Sequence, residues 1–370
     1  MSFREECCVK VSLGERSYDI QIKPGLLGEV GQRLHTMGLS GKVAVVTNPI
    51  IGRLYTSPVL RSLKAAGYDV MLIIVPAGER SKTIRSVSRV LDALAEARFE
   101  RGSVLLALGG GVIGDLTGFA AAVYQRGIPF IQIPTTLVAQ VDSSIGGKTG
   151  VNHRLGKNLI GALYQPRLVL IDPTTLKTLP RREWIAGLAE VIKYGMIADE
   201  GFFAYLEKHM DALLSMEEES VVRIITRSCE IKAAVVMEDE RESDRRRILN
   251  YGHTIGHALE SLGEYRTFVH GEAVAIGMVQ EADISRTFDL VERQRDLVRR
   301  AGLPDALPSL TFSGLWEAMQ HDKKVAQGRV YCVLPERIGE VRVAPLERTE
   351  FKNWFGNRQS SKAARVNGKR

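Results

Sequence analysis

No run of eighteen apolar residues occurs anywhere in this 370-residue chain, so no segment reads as a membrane-spanning helix. The N-terminus, MSFREECCVKVSLG, has charge but no apolar core, and does not read as a secretory signal. Cysteine is scarce. The four present, Cys7, Cys8, Cys229 and Cys332, form no CxxC pair, and read as reduced thiols in a cytoplasmic protein rather than a disulfide framework. Internal repeats are absent. Positive charge is in excess, with a net +7, yet no basic stripe interleaved with aromatics appears. Neither nucleic acid nor a membrane is therefore an expected partner, and the spread charge favours a small anionic substrate.

What is present is the texture of an α/β protein, 45% hydrophobic and 25% charged. Short β-branched runs punctuate the first half: KVAVVTN, DVMLIIVPAGE, SVLLALGGG, FIQIPTT and LVLIDP. Helix-like stretches such as SKTIRSVSRVLDALAEARF lie between them. Continuous apolar strands alternating with helices predict a Rossmann-like parallel sheet covered on both faces. An earlier stretch, VSLGERSYDIQIKPG, predicts a hairpin edging that sheet. After about residue 179 the patterns turn helical until VYCVLPERIGEVRVAP. The expected organisation is an α/β nucleotide-binding domain over 1–179 and a mostly helical domain over 180–355. A basic tail over 356–370 is expected to be disordered.

SVLLALGGGVIGDLTGF is a strand running through Gly109, Gly110, Gly111 and Gly114 into a helix. Such glycines let backbone amides approach a pyrophosphate at the positive end of a helix. The acidic residue that an ordinary dinucleotide fingerprint needs after the next strand is missing, because FIQIP runs into Thr135 and Thr136. The motif therefore reads either as an unusual nucleotide site or as a plain tight turn. Farther on, QVDSSIGGKTGVNHRLGKN is dense with polar groups and reads as a polar loop at the sheet edge. Its IGGKT has Asp142 where a P-loop would need glycine, so no Walker motif is present.

Only seven histidines occur, and His253, His257 and His270 fall within eighteen residues. His253 and His257, one helical turn apart, are spaced to share a metal ion, but no Glu follows His253 as HExxH requires. In REWIAGLAEVIKYG, Trp184, Ile185, Leu188, Val191 and Ile192 form one stripe and Glu190 points away from it, with Lys193 three residues on. That spacing reads as a solvated ion pair or as a carboxylate offered to a metal. A metal site is expected, with its ligands open.

Several longer segments carry a resemblance. GGGVIGD, RGIPFIQIPTTLVAQVDSSIGGKTGVNHRLGKNLIGALYQP, AEVIKYG, CEIKAAVVMEDERE, LNYGHTIGHALE and HGEAVAIGM closely resemble, in this order, the 3-dehydroquinate synthases. The resemblance runs from about residue 10 to 345, and the chain after about 350 has no counterpart. It implies an NAD-binding α/β domain joined to a helical metal- and substrate-binding domain. It also implies a divalent metal, zinc or cobalt, held by Glu190, His253 and His270, with His257 beside the substrate instead. NAD contacts implied are Asn48, Glu79, Lys82, Gly110, Gly111, Asp115, Thr135, Thr136, Asp142, Lys157 and Asn158. Substrate contacts implied are Arg126, Asp142, Lys148, Asn158, Lys193, Lys232, Arg246, Asn250, His257 and Lys323. Lys148, Lys193, Lys232, Glu242, Arg246, Asn250 and His257 would carry the chemistry.

The activity implied is a lyase step of the shikimate pathway, towards chorismate and the aromatic amino acids. The substrate, 3-deoxy-D-arabino-heptulosonate 7-phosphate, would be transiently oxidised by NAD, lose phosphate by β-elimination, be re-reduced, and close by an intramolecular aldol step to 3-dehydroquinate. Other readings are a different sugar phosphate cyclase, an NAD- and metal-dependent glycerol-type dehydrogenase, or a non-catalytic binding module. The lysines favour a substrate with carboxylate and phosphate over a neutral polyol. A homodimer is the expected assembly.

Overall fold

The β-branched runs become strands because, away from the exposed edge at Leu72 and Ile74, alternate residues find apolar partners on opposite sides of one sheet. In chain order the elements of the first half are a hairpin, β1 (Cys7–Val11) and β2 (Tyr18–Ile22), then α1 (Val30–Thr36), β3 (Val43–Thr47), α2 (Pro49–Ala65) and β4 (Val70–Ile74). There follow α3 (Ile84–Glu96), β5 (Val104–Gly109), α4 (Gly111–Val123), β6 (Phe130–Pro134), β7 (Lys148–His153), β8 (Gly156–Leu163) and β9 (Leu168–Ile171). Seven strands join in the order β1-β2-β9-β6-β5-β3-β4. The β1–β2 pair is antiparallel and every other pairing is parallel. The predicted sheet and its edging hairpin are both present.

The pleat divides β3 cleanly. Val43 and Val45 enter one core with Leu34, Val59 and Leu63, while Ala44 and Val46 enter the other with Val90, Leu94 and Leu116. Two buried faces explain why these strands are apolar throughout rather than alternating. From Lys148 on, the polar segment read as a loop is instead the hairpin β7–β8, whose register pairs Gly150 with Gly161. A Cβ on Gly161 would lie 2.0 Å from the Thr149 carbonyl oxygen, so glycine alone permits this close strand approach.

In the computed structural model, which describes residues 6–285, 288–320 and 329–367, the chain divides into two units. One comprises Met1–Trp184 and Met216–Arg241, the other Ile185–Ser215 and Glu242–Arg370. The later elements are α5 (Arg181–Ala198), α6 (Glu200–Leu214), α7 (Glu218–Glu238), α8 (His253–Leu262), α9 (His270–Ser285), α10 (Phe288–Arg300), α11 (Phe312–Gln320), the antiparallel hairpin β10 (Val330–Arg337) and β11 (Glu340–Leu346), and α12 (Arg348–Asn367). Ile255, Leu259, Ile276, Leu315, Trp316, Cys332 and Phe351 form one core of the second unit. Phe351, Trp354 and Phe355 give α12 an aromatic stripe against Phe312 and Trp316. The helix then runs through Asn367, so the basic stretch read as a tail continues it. No helix among the described residues is long and apolar enough to cross a membrane.

Candidate functional site

In the first unit, the glycine-rich segment sits where β5 ends and α4 begins. Gly110 caps α4, whose first amides have no side-chain acceptor at the cap. A Cβ on Gly111 would lie 2.9 Å from Ser143 Oγ, and one on Gly110 3.0 Å from Thr136 Cγ2. The helix N-terminus is thus bare backbone, as phosphate approach requires. Around it Lys82, almost fully buried, contacts both Asp115 and the Asn158 side-chain oxygen. Asn152 Nδ2 donates to Glu79 Oε1 at 2.8 Å, and Asn158 N donates to Asn152 Oδ1 at 2.9 Å. Burial raises the Asp115 carboxyl against the opposing pull of Lys82.

Asn48 caps α2, its Oδ1 accepting from the amides of Ile50 and Ile51 at 3.0 Å. Thr135 and Thr136 follow β6, and Lys157 lies on β8. Asp142 lies in a single π-turn, Ala139–Ser143, a geometry enriched at functional sites. Lys232 of α7 donates to the Asp142 carbonyl at 2.6 Å and pairs with its carboxylate at 2.8 Å. Lys148 opens β7 and is exposed, as is Arg126. Arg126 and Asn158 both take left-handed backbone, at φ +66° and +52°. Such strain persists where the surrounding fold imposes it, often at ligand sites.

In the second unit, α5 corrects the solvated reading of its polar face. Residues 186 to 197 are all buried, and Glu190 and Lys193 are each 1% exposed and paired. The helix is enclosed on every side, so the face opposite the apolar stripe looks into protein rather than water. Three glycines draw the histidines to this carboxylate. A Cβ on Gly271 would lie 1.8 Å from the Ala186 carbonyl oxygen, one on Gly277 1.9 Å from that of Gly252, and one on Gly256 3.1 Å from that of Ala273. Backbone contact of α9 with α5 and α8 follows, and it places His253 Nε2 3.4 Å and His270 Nε2 3.3 Å from Glu190 Oε1.

Glu190, His253 and His270 each offer one ligand atom within 4.8 Å of the others. Neither Glu190 oxygen accepts a hydrogen bond of normal geometry, although cationic and imidazole nitrogens crowd around it. One carboxylate and two imidazoles with an orphaned, buried oxygen suit a divalent ion of zinc type. Burial alone would raise the Glu190 carboxyl, but Lys193 and His253 hold it well below the usual range. Burial would lower the His270 imidazole, yet Glu190 and Glu260 lift it to about 10. His253 and His257 do not converge with a shared carboxylate in either metal-competent group among the described residues. The one-turn spacing therefore marks a common helix face rather than a shared ion.

Of the arginine run, Arg245 is exposed, Arg247 stacks on Tyr331 at 4.5 Å, and Arg246 is buried at 1% exposure. Asn250 Nδ2 donates to Glu242 Oε1 at 3.1 Å, and Glu242 is left-handed at φ +59°. Lys323 lies outside the described residues. The sequence reading missed Glu260, buried in α8 with Oε2 3.4 Å from His270 Nδ1. Its signal was available: Glu260 follows His253 by seven residues and His257 by three, one helical face.

Comparison with known proteins gives a consistent picture. Residues 72–186 match the family model for the 3-dehydroquinate synthase N-terminal part, and residues 187–325 that for the C-terminal part. The 3-dehydroquinate synthase of Picosynechococcus sp. is 52% identical over 346 residues, covering 91% of this chain and 95% of that protein. Among solved structures, the chain is similar to 2-epi-5-epi-valiolone synthase from Streptomyces hygroscopicus with NAD+ and Zn2+ bound. That TM-score is 0.85 at 29% identity, over 94% of this chain and 98% of the other. It is also similar to 2-deoxy-scyllo-inosose synthase complexed with carbaglucose-6-phosphate, NAD+ and Co2+, at TM-score 0.85, 25% identity and the same coverage.

Proposed function

Since the chain belongs to the 3-dehydroquinate synthase family, we propose that it converts 3-deoxy-D-arabino-heptulosonate 7-phosphate to 3-dehydroquinate and phosphate. It is a lyase of the shikimate pathway. The observation that carries this reading is the convergence of Glu190, His253 and His270 beside Lys193 in a chain that matches the family along most of its length.

Glu190, His253 and His270 would hold the divalent ion, zinc or cobalt, which when bound would supply a Lewis acid for substrate hydroxyls. Asn48, Glu79, Lys82, Gly110, Gly111, Asp115, Thr135, Thr136, Asp142, Lys157 and Asn158 would hold NAD, which when bound would supply a hydride acceptor. The substrate carries a carboxylate and a phosphate. Arg126, Lys148, Lys193, Lys232, Arg246 and Lys323 provide the cations that bind them, with Asp142, Asn158, Asn250 and His257 fixing the hydroxyls. Arg246, rigid in its burial, presents a planar fork suited to a phosphate. Lys148, exposed on β7, and His257 are further candidates to bind the departing phosphate. Glu242, held by Asn250, orients groups beside it.

A neutral polyol would need none of these cations, which disfavours a glycerol-type dehydrogenase. We place the protein in the cytoplasm as a homodimer. The scarcity of cysteine supports the former, and exposed Leu155, Leu159 and Leu163 on the β7–β8 hairpin support self-association. The deciding experiment incubates the protein with the heptulosonate phosphate, NAD and Zn2+ or Co2+, following phosphate and absorbance of NADH together. Stoichiometric phosphate and dehydroquinate without net NADH is the expected result. Steady NADH from a simple polyol, with no phosphate, would sink the reading.

A further inference from the structure

Each histidine of the proposed metal triad has a second ring nitrogen, and the two are satisfied by different chemistry. His253 Nδ1 lies 3.0 Å from the Tyr251 carbonyl oxygen, a neutral acceptor two residues back along the chain. His270 Nδ1 faces the Glu260 carboxylate at 3.4 Å, while its Nε2 faces Glu190 at 3.3 Å. Glu260 is 4% exposed, and only a buried polar environment keeps a carboxylate there. We propose that Glu260 is a positioning residue for the metal: its carboxylate accepts a hydrogen bond from the Nδ1–H of His270, fixes that tautomer, and leaves the Nε2 lone pair aimed at the ion. This rests on the metal reading above.

Geometry favours this role over direct ligation. Glu260 approaches the nitrogen of His270 that points away from Glu190, so one ion cannot use Glu190 and Glu260 through the same imidazole nitrogen. A competing group does exist, because His257, Glu260 and His270 also offer ligand atoms within 4.8 Å of one another. An ion held there would take His270 through Nδ1, requiring the opposite tautomer. The two arrangements are therefore exclusive in what they demand of His270. A carboxylate accepting from a ligand imidazole makes it a stronger donor, and loss of such a partner costs 10- to 100-fold in metal affinity.

The test measures Co2+ binding to the apoprotein by its visible absorption, for the unmodified chain, Glu260→Gln and Glu190→Gln. Glu260→Gln should weaken the Co2+ Kd about 10- to 100-fold while reaching one ion per chain with an unshifted band. Glu190→Gln should change the band or abolish it, since a direct ligand is lost. An unchanged Kd in Glu260→Gln overturns the proposal, as does a band altered in Glu260→Gln but not in Glu190→Gln. A second measurement needs no variant: 15N spectra of the Zn2+-loaded protein should show His270 protonated on Nδ1. Protonation on Nε2 overturns the proposal even if Glu260→Gln fails to fold. Absence of any Co2+ binding by the unmodified chain would instead bring down the metal reading itself, and this proposal with it.

Discussion

At the scale of single residues, the buried pair Glu190 and Lys193 sets the energetics of the site. Each is 1% exposed, so neither charge is stabilised by water. Lys193→Met should destabilise the metal-free protein, though by less than the ~3–5 kcal/mol that a wholly uncompensated buried charge costs, because His253 and His270 still face Glu190. Zn2+ should restore much of that, by supplying positive charge at the same carboxylate. Denaturant midpoints with and without Zn2+ check this, and equal midpoints for variant and parent without metal would refute it. His253→Ala should lose metal and turnover together, whereas His257→Ala should keep its metal and turn over slowly. Metal analysis of the purified variants decides, and equal metal loss in both would return His257 to the ligand set. The residue types of this site were legible in the sequence. Their burial was not, since helical spacing on α5 tells which face is apolar but not whether the other face meets water. Glu260 stayed hidden for a related reason, because a lone glutamate on a helix is usually solvated.

At the scale of elements, close helix packing is what turns a scatter of side chains into a cluster. Gly271→Ala would bring a Cβ to 1.8 Å of the Ala186 carbonyl oxygen, and α9 must shift to relieve it. We expect a loss of about 1–3 kcal/mol in stability, typical of overpacking, with weaker metal binding because His270 adjoins the displaced residue. Thermal melts together with a Zn2+ titration test both parts, and an unaltered Zn2+ affinity would separate packing from the site. A second element contact concerns pH. Arg16, after β1, makes a two-point contact with Glu240, after α7, and Gln165 donates to the same carboxylate. The Arg16 hydrogen bond holds the Glu240 carboxyl below its ordinary 4.5. A lowered carboxyl stabilises the fold above the unfolded-state value and loses that contribution as pH falls through the folded-state value. The melting temperature of Arg16→Ala should therefore fall below that of the parent near pH 7, with the gap closing below about pH 4.5. A gap constant with pH would mean that the contact matters for packing alone. The sheet's five parallel strands and its edging hairpin were legible because each short run is β-branched and bounded by turn residues. The hairpin β7–β8 was not, because its glycines and lysines spell a loop locally and only the cross-strand fit of Gly150 and Gly161 makes strands of them.

For the whole molecule, metal and NAD should each act first on the unit whose residues are proposed to hold it. Removing metal with a chelator should raise amide exchange in α5, in α8 and at the start of α9, while NAD should protect the start of α4 and the β7–β8 hairpin. Hydrogen-exchange mass spectrometry reads both, and metal-dependent protection confined to α4 would contradict the ligand assignment. The membership of α7 was not spelled locally, since an amphipathic helix carries no mark of which core receives it. Its consequence is one of genetic dissection. The chain passes from one unit to the other after Trp184, Ser215 and Arg241. A single cut after Ser215 divides both units, whereas a cut after Trp184 takes 216–241 from the first unit alone and a cut after Arg241 takes 185–215 from the second alone. The first unit could be expressed free of the second only as a spliced gene, with 185–215 excised and the ends rejoined, and in a split-protein reporter cut at residue 184 the N-terminal fragment would have to recover α7 across the break before it could mature.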